Sequence, residues 1–460
     1  MEYAPPPVWS FAPFIALLLA IAILPLVPGV AHWWERNRSK LMVALALALA
    51  TIAYYFWVHP GLRDPSSTGE LIRGGHAVLH VLEHAVIEEF LPFIILLFSL
   101  YTISGGILLK GDIVARPAVN SAFLAAGALL ANFIGTTGAS MLLIRPILRT
   151  NAERARKVHT VIFFIFTVSN AGGCLTPLGD PPLFLGYLKG VPFWWTLHLA
   201  GPWLLVNGAL IFIYFLWDRA AYRRERRRDV LRDEVQVEPL SIEGGLNFLW
   251  LLGVVACVAL VGSETGWRPF PHAREALLLA LTAVSWFGVR RNAEIRRKNA
   301  FTLGPILEVA CLFIGIFVCM QTPVEFLRAH GANLGLESPT AFFWATGGLS
   351  GFLDNAPTYV VFFETARALT VKLLEAGAIA ASHTVPLLGG GVIDQSLLLA
   401  VSMGAVFMGA STYIGNGPNF MVKTIAEQSG IKMPSFFGYM AYSVAILIPL
   451  FVVVTVVFLW

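Results

Sequence analysis

The chain has 460 residues, of which 57% are hydrophobic and only 13% charged, with a formal net charge of +4 and a mean hydropathy of +0.71. A soluble domain carries about 25% charged residues, so this composition excludes a water-soluble globular protein and points to an all-α polytopic membrane protein with lipid as its main partner. The basic residues sit in a few short runs, which excludes a nucleic-acid patch and leaves topology signals.

About 20 apolar residues are needed to cross a hydrocarbon core. On that measure about ten full spans are expected, near 11–30, 41–58, 86–108, 158–190, 193–216, 246–263, 274–290, 301–322, 395–427 and 435–459. The opening "MEYAPPPVWS" has no basic n-region, so the first apolar run reads as a retained span. Two further apolar stretches, 119–148 and 339–369, are each interrupted by a polar tip. The basic runs at 35–40, 149–157, 223–228 and 290–298 belong in the cytoplasm by the positive-inside rule. They can all be there only if 119–148 enters from the cytoplasm and returns, while 339–369 does so from outside. Both therefore read as re-entrant hairpins, which a membrane tolerates only under protein cover or beside a polar cavity. The chain then divides into 1–230, a charged cytoplasmic linker at 231–245, and 246–460. The pattern is two inverted-topology repeats, with both termini outside the inner (plasma) membrane.

Discontinuous helices at matching places in such repeats point to a transport site. Here the broken spans 158–190 and 395–427 carry one phrase twice, "TPLGDPPLF" from Thr176 and "TYIGNGPNF" from Thr412, 236 residues apart. The first also holds Asn170 and Gly172, and the second Ser411, Asn416 and Asn419. Prolines and glycines unwind such helices, and freed carbonyls with Asn and Thr oxygens suit a hard cation such as sodium. Half-helix N-termini equally suit an anionic group. The hairpin tips add Asn132, Thr136 and Thr137 on one side and Asn355 and Thr358 on the other. Aligning Asn132 with Asn355, 223 residues apart, sets Ala131 against Asp354, as Asn416 stands against Asp180.

An intramembrane carboxylate is a functional candidate by default, so Asp180 and Asp354 are the expected ion- or proton-coupling groups. Glu308, inside the span 301–322, is a third, and Asn132, Asn355 and Asp354 form a candidate sodium site. Glu89 and Lys423 are weaker candidates. His76, His80 and His84 recur every four residues on one helical face. They read as part of an amphipathic helix in the headgroups, or as an external pH sensor. Four scattered cysteines give no disulfide or zinc framework, and no nucleophile–base pair suggests an enzyme or an organic cofactor.

The stretches "ANFIGTTGASMLLIRP", "SNAGGCLTPLGDPPLF", "FLDNAPTY" and "GNGPNF" resemble the ion transporter superfamily, in particular its citrate transporter and sodium:proton antiporter branch. The resemblance implies a homodimer, each protomer having a scaffold part and a transport part. It also implies that Asn132, Thr136, Thr137, Asn355 and Thr358 bind sodium or carboxylate. The dicarboxylate members read Ser-Asn-Thr at their tips; this chain reads Ala131-Asn132-Phe133 and Asp354-Asn355-Ala356, nearer the antiporter and arsenite-permease members. The expectation is a sodium:proton antiporter working by alternating access. The alternatives are a sodium- or proton-coupled citrate or organic-anion carrier, and an oxyanion permease.

Overall fold

The computed structural model describes residues 5–63, 71–262, 267, 269–288 and 290–460. Helices α1 (Ala12–Ile23), α2 (Pro28–Trp34), α3 (Asn37–Trp57), α4 (Gly74–Leu82) and α5 (Leu91–Ser104) come first. They are followed by α6 (Pro117–Thr150), α7 (Val158–Thr167), α8 (Pro181–Leu188), α9 (Ala200–Tyr222) and α10 (Arg227–Val235). The second part has α11 (Leu246–Leu260), α12 (Ala273–Phe287), α13 (Arg290–Lys298), α14 (Gly304–Cys319) and α15 (Gln321–His330). It ends with α16 (Pro339–Ser350), α17 (Asn355–Glu375), α18 (Gln395–Met408), α19 (Gly417–Gln428) and α20 (Phe436–Phe458). Three short antiparallel pairs, β1–β2 (Leu62–Arg63 with Leu71–Ile72), β3–β4 (Leu108–Asp112 with Glu238–Glu243) and β5–β6 (Thr384–Pro386 with Val392–Asp394), trim the ends.

Among the described residues, five helical stretches are long and apolar enough to cross a membrane, or seven if two bent pairs each count as one. Several expected spans are therefore reshaped. The run 11–30 breaks after Ile23, and α2 leaves at 104°, because Pro25 and Pro28 cannot continue the helix. The run 301–322 bends by 42° between α14 and α15. Helices α11 and α12 have 15 residues each, about 22 Å at 1.5 Å per residue, short of a full crossing. The histidine stretch is not a separate helix: α4 runs through a π-helical segment (Glu83–Phe90) into α5, giving 31 continuous helical residues from Gly74 to Ser104.

Helix α6 also passes the length test, yet it folds back on itself. Gly135, at φ 75° and ψ 155°, turns the chain, a conformation open essentially only to glycine. The bases of the two arms are then clasped by a reciprocal amide pair, Asn120 with Asn151, at 2.9 Å in both directions. Helices α16 and α17 fold back likewise around Gly351–Asp354, with the Phe342 and Phe362 rings 6.4 Å apart.

Polar groups gather at two ends. At one, β3 pairs with β4, Arg154 meets Asp218 at 2.6 Å and Glu225 at 3.9 Å, and Asn299 reaches the Gly105 and Ile107 carbonyls. The basic runs 149–157, 223–228 and 290–298 lie there. At the other, Glu89, Lys189, Arg328 and Glu364 meet beneath α15 and α17. The broken segments lie between these ends.

Candidate functional site

The two repeated phrases fold alike. Thr176 donates its hydroxyl to the Asn132 carbonyl and receives Leu178 N–H at 3.2 Å. Thr412 donates to the Gly351 carbonyl at 2.6 Å and receives Ile414 N–H at 3.2 Å. Each break thus hooks onto the tip of a hairpin. Positions 132 and 351 differ by 219, so the contacts pair Asn132 with Gly351, Gly135 with Asp354, and Thr136 with Asn355. This replaces the pairing of Asn132 with Asn355 that the spelling suggests. Asn132 belongs to the last turn of an incoming arm, whereas Asn355 opens an outgoing one.

Asp180 is where these pieces converge. It is 1% exposed, and its carboxylate accepts from Thr136 Oγ1 at 2.9 Å and from Asn416 Nδ2 at 3.0 Å on Oδ1, and from Asn355 Nδ2 at 2.7 Å on Oδ2. The donors come from the first hairpin, the second break and the second hairpin. Asp180 stands at the N-cap of α8 but makes no capping bond. The reason lies in the next three residues: Pro181 opens the helix, Pro182 lacks the N2 donor that a cap would use, and the N3 donor of Leu183 goes to the Asp180 backbone carbonyl at 3.1 Å. The side chain is left free to accept from other elements. No ion pair joins Asp180 to a basic residue among the described residues.

Asp354 behaves differently. It is half-buried, caps α17 through Ala356 N–H at 3.0 Å, and lies within electrostatic reach of Asp180. Asn355 Oδ1 is buried without a hydrogen-bond partner. A buried acceptor with no donor, beside a buried carboxylate, is an arrangement that a cation completes.

Around Asp180 the neutral candidates form a web. Asn170 donates to Asn419 Oδ1 at 2.7 Å and accepts from Asn416 at 3.2 Å; Asn419 donates to the Gly409 and Thr412 carbonyls at 2.8 and 2.9 Å. Asn132 is committed to the backbone: it receives Leu175 N–H at 2.7 Å and donates to Ala128 and Leu129 carbonyls. Gly172 lets the first break touch the hairpin, since a Cβ there would stand 2.6 Å from Ala128 Cα. Thr358 donates to the Asp354 carbonyl at 2.9 Å. Thr137 and Ser411 are half-buried next to these groups.

Other candidates lie elsewhere. Glu308 is exposed and pairs with buried Lys40 of α3. Lys423 pairs with Glu427 at 3.5 Å and lies 5.2 Å from the Tyr413 ring centroid. His76 is exposed, and His84 lies 3.7 Å from Glu88 and 3.8 Å from Glu89. Among the described residues no three His, Cys, Asp or Glu side chains are grouped to hold a metal.

Two buried ionic clusters were not expected as clusters; of their members the sequence singles out only Glu89. In one, Asp218 accepts from Arg154 Nη1 at 2.9 Å and meets His159 at 2.8 Å, at the base of the first hairpin. In the other, Lys189 meets Glu89 at 2.8 Å and Glu364 at 3.3 Å. The available signal was a charge inside an apolar run, as in "YFLWDRA" and "VVFFETA".

A sequence profile described as "Putative citrate transport" matches residues 4–459. The chain belongs to this family. An uncharacterized transporter of Mycobacterium bovis is 26% identical over 331 residues, covering 70% of this chain and 72% of its own length. An uncharacterized transporter of Mycobacterium tuberculosis matches to the same extent, and a second one from that organism is 25% identical over 347 residues, with the same coverage. Family and relatives make the protein a membrane transporter of the citrate-transporter type.

Proposed function

We propose that the protein is an ion-coupled secondary active transporter in which Asp180 takes up a sodium ion and a proton in turn. The observation that carries this reading is the Asp180 carboxylate itself: buried, held by three neutral donors from three separate segments, and joined to no basic group among the described residues. Such a charge is costly in a membrane unless a cation or proton neutralises it. Competition between the two for one carboxylate is enough to couple their fluxes. Asn355 Oδ1 and Asp354 supply further oxygen ligands. The matched hooks of Thr176 and Thr412 support two inverted repeats, and the shared end of the basic runs supports a cytoplasmic location for them in an inner membrane. A homodimer with a static scaffold and a moving, hairpin-bearing part completes the reading.

Sodium:proton exchange is the first form of the proposal, because Asp180 and Asp354 repel an anion. Coupled citrate transport is the second, favoured by the description of the family. The test uses purified protein in liposomes with an imposed pH gradient and an internal pH dye. Collapse of the gradient by sodium alone supports exchange. A response to citrate, with silence to sodium, refutes it and makes the acids coupling-ion ligands in an anion carrier. Silence to sodium, lithium, potassium and citrate alike refutes both.

A further inference from the structure

We propose that Glu89, Lys189, Glu364 and Arg328 form an ion-pair clasp that holds the helices carrying Asp180 and Asn355 in one position and opens once in every transport cycle. The proposal rests on the reading of the protein as a transporter with a moving part.

Helix α8 starts just after Asp180, at the Asp180–Asn355 bond, and Lys189 follows its last residue; the first turns of α17 begin at that bond and reach Glu364. Lys189 and Glu364 then meet at 3.3 Å, so the two helices are tied at both ends, nine residues apart on each. Between the ties Gly186 admits the Tyr359 ring, since a Cβ there would lie 2.3 Å from the Tyr359 hydroxyl. Helix α8 and the start of α17 therefore form one rigid pair with the candidate ion site at one end.

The far end of the pair is bound to other elements by charge. Lys189 reaches Glu89 of the π-helical segment at 2.8 Å, and Arg328 of α15 reaches Glu364 at 3.1 and 3.2 Å. Gln321, also of α15, holds the second Glu89 oxygen at 3.1 Å. The π-helical segment and α5 pack on α14, the helix that leads into α15, through aromatic contacts, Phe93 on Phe313 at 4.9 Å and Phe90 by Phe317 at 6.2 Å. Glu89 is 5% exposed and Glu364 1% exposed. Buried ion pairs add little net stability because desolvation offsets attraction. Their better attested use is to fix one arrangement among several. At the outer end of the bundle, water can take over each partner when the helices part, so release is cheap and the closed position is still unique.

The experiment replaces the four native cysteines and puts nitroxide labels at Ile87→Cys and Val371→Cys, both exposed positions flanking the clasp. Pulsed electron resonance on the protein in liposomes reads the distance distribution, and the same preparation is assayed for sodium- and citrate-driven flux. The expected result is two distances, with Glu89→Gln raising the share of the longer one about tenfold, a shift of about 1.4 kcal/mol. Lys189→Met, which leaves Glu89 and Glu364 without their shared cation, should shift it the same way. Intact flux with a single distance, or with a ratio that neither variant moves, overturns the clasp and leaves the transport reading standing. A ratio that responds in a protein that moves neither sodium nor citrate does the reverse.

Discussion

Asp180→Asn isolates the charge on which the transport reading depends. The carboxylate has two acceptors serving three donors; the variant turns one oxygen into a donor. The cheapest arrangement keeps Oδ1 toward Thr136 and Asn416 and sets the new amide nitrogen against Asn355. That would oppose two donors at 2.7 Å, but Asn355 can turn its amide over, because its own Oδ1 has no partner to lose. One hydrogen bond is thus exchanged for another, and removal of a buried charge offsets the weaker bonds, so the net cost to folding stays within about 1 kcal/mol. The effect on a bound cation is far larger. At 4 Å and an effective dielectric constant near 20, a pair of unit charges gains about 4 kcal/mol, or about a thousandfold in affinity. Proteoliposomes carrying the variant should keep the wild-type unfolding midpoint and lose sodium-driven dissipation of the pH gradient. Asp354→Asn is the companion, since asparagine caps a helix about as well as aspartate and only the charge is lost. Unchanged half-saturation for sodium in Asp180→Asn would refute the argument outright, whatever Asp354→Asn does.

Three further expectations follow from the geometry. Gly135→Ala puts a side chain into a backbone region that costs ~1–3 kcal/mol for non-glycine residues; the new Cβ would meet only ordinary contacts, the Leu178 carbonyl at 3.4 Å and Leu100 Cδ1 at 3.8 Å, so it is the backbone strain that should move the tip and draw Thr136 off Asp180. Flux should fall by about tenfold or more in a protein that still elutes as a folded species, and full flux would show that the tip geometry is dispensable. Glu308→Gln should lower the thermal midpoint by leaving buried Lys40 without its counter-charge, while the sodium half-saturation stays within twofold; lost coupling in a folded variant would return Glu308 to the coupling groups. Asp112, at the base of the bundle, has its acidity weakened by burial first and then by Glu153, Asp233 and Glu238 nearby. A raised carboxyl pKa favours the folded state at acid pH, and that contribution is lost as pH rises through the folded value. Asp112→Asn should therefore raise the unfolding midpoint at pH 7.5 and change it little at pH 3.5, and equal shifts at both would contradict this.

The breaks and tips were legible because they violate the membrane's own rules. Gly-Pro phrases, polar tips and lone acids have no bland place in an apolar run, so Asp180, Asn416, Thr176 and Thr412 stand out from spelling alone. What could not be read was partnership. Glu308 and Glu364 look alike as acids within apolar stretches, yet one faces Lys40 at an exposed edge and the other is enclosed by Lys189 and Arg328. The difference depends on residues 268 and 175 positions away, beyond any local pattern. The hairpin register failed for a related reason. Asn-x-x-Gly and Asp-Asn share letters, but the turn itself, set by the positive φ of Gly135, decides which residue faces the break.

The matched register makes the unmatched positions informative. Where the first tip has Gly135, the second has Asp354; where the second break has Asn416, the first has Asp180. A strictly duplicated site would hold two buried acids at the breaks, and like charges so close could not both be ionised. A site with asparagine at both would hold none. With Asn416 at the second break, the breaks hold a single carboxylate, and it receives donors from both parts of the chain, Asn416 among them. In the proposed transporter, a cation or a proton bound at this carboxylate would change the contacts of both hairpins at once, which would link occupancy of the site to the position of the helices around it.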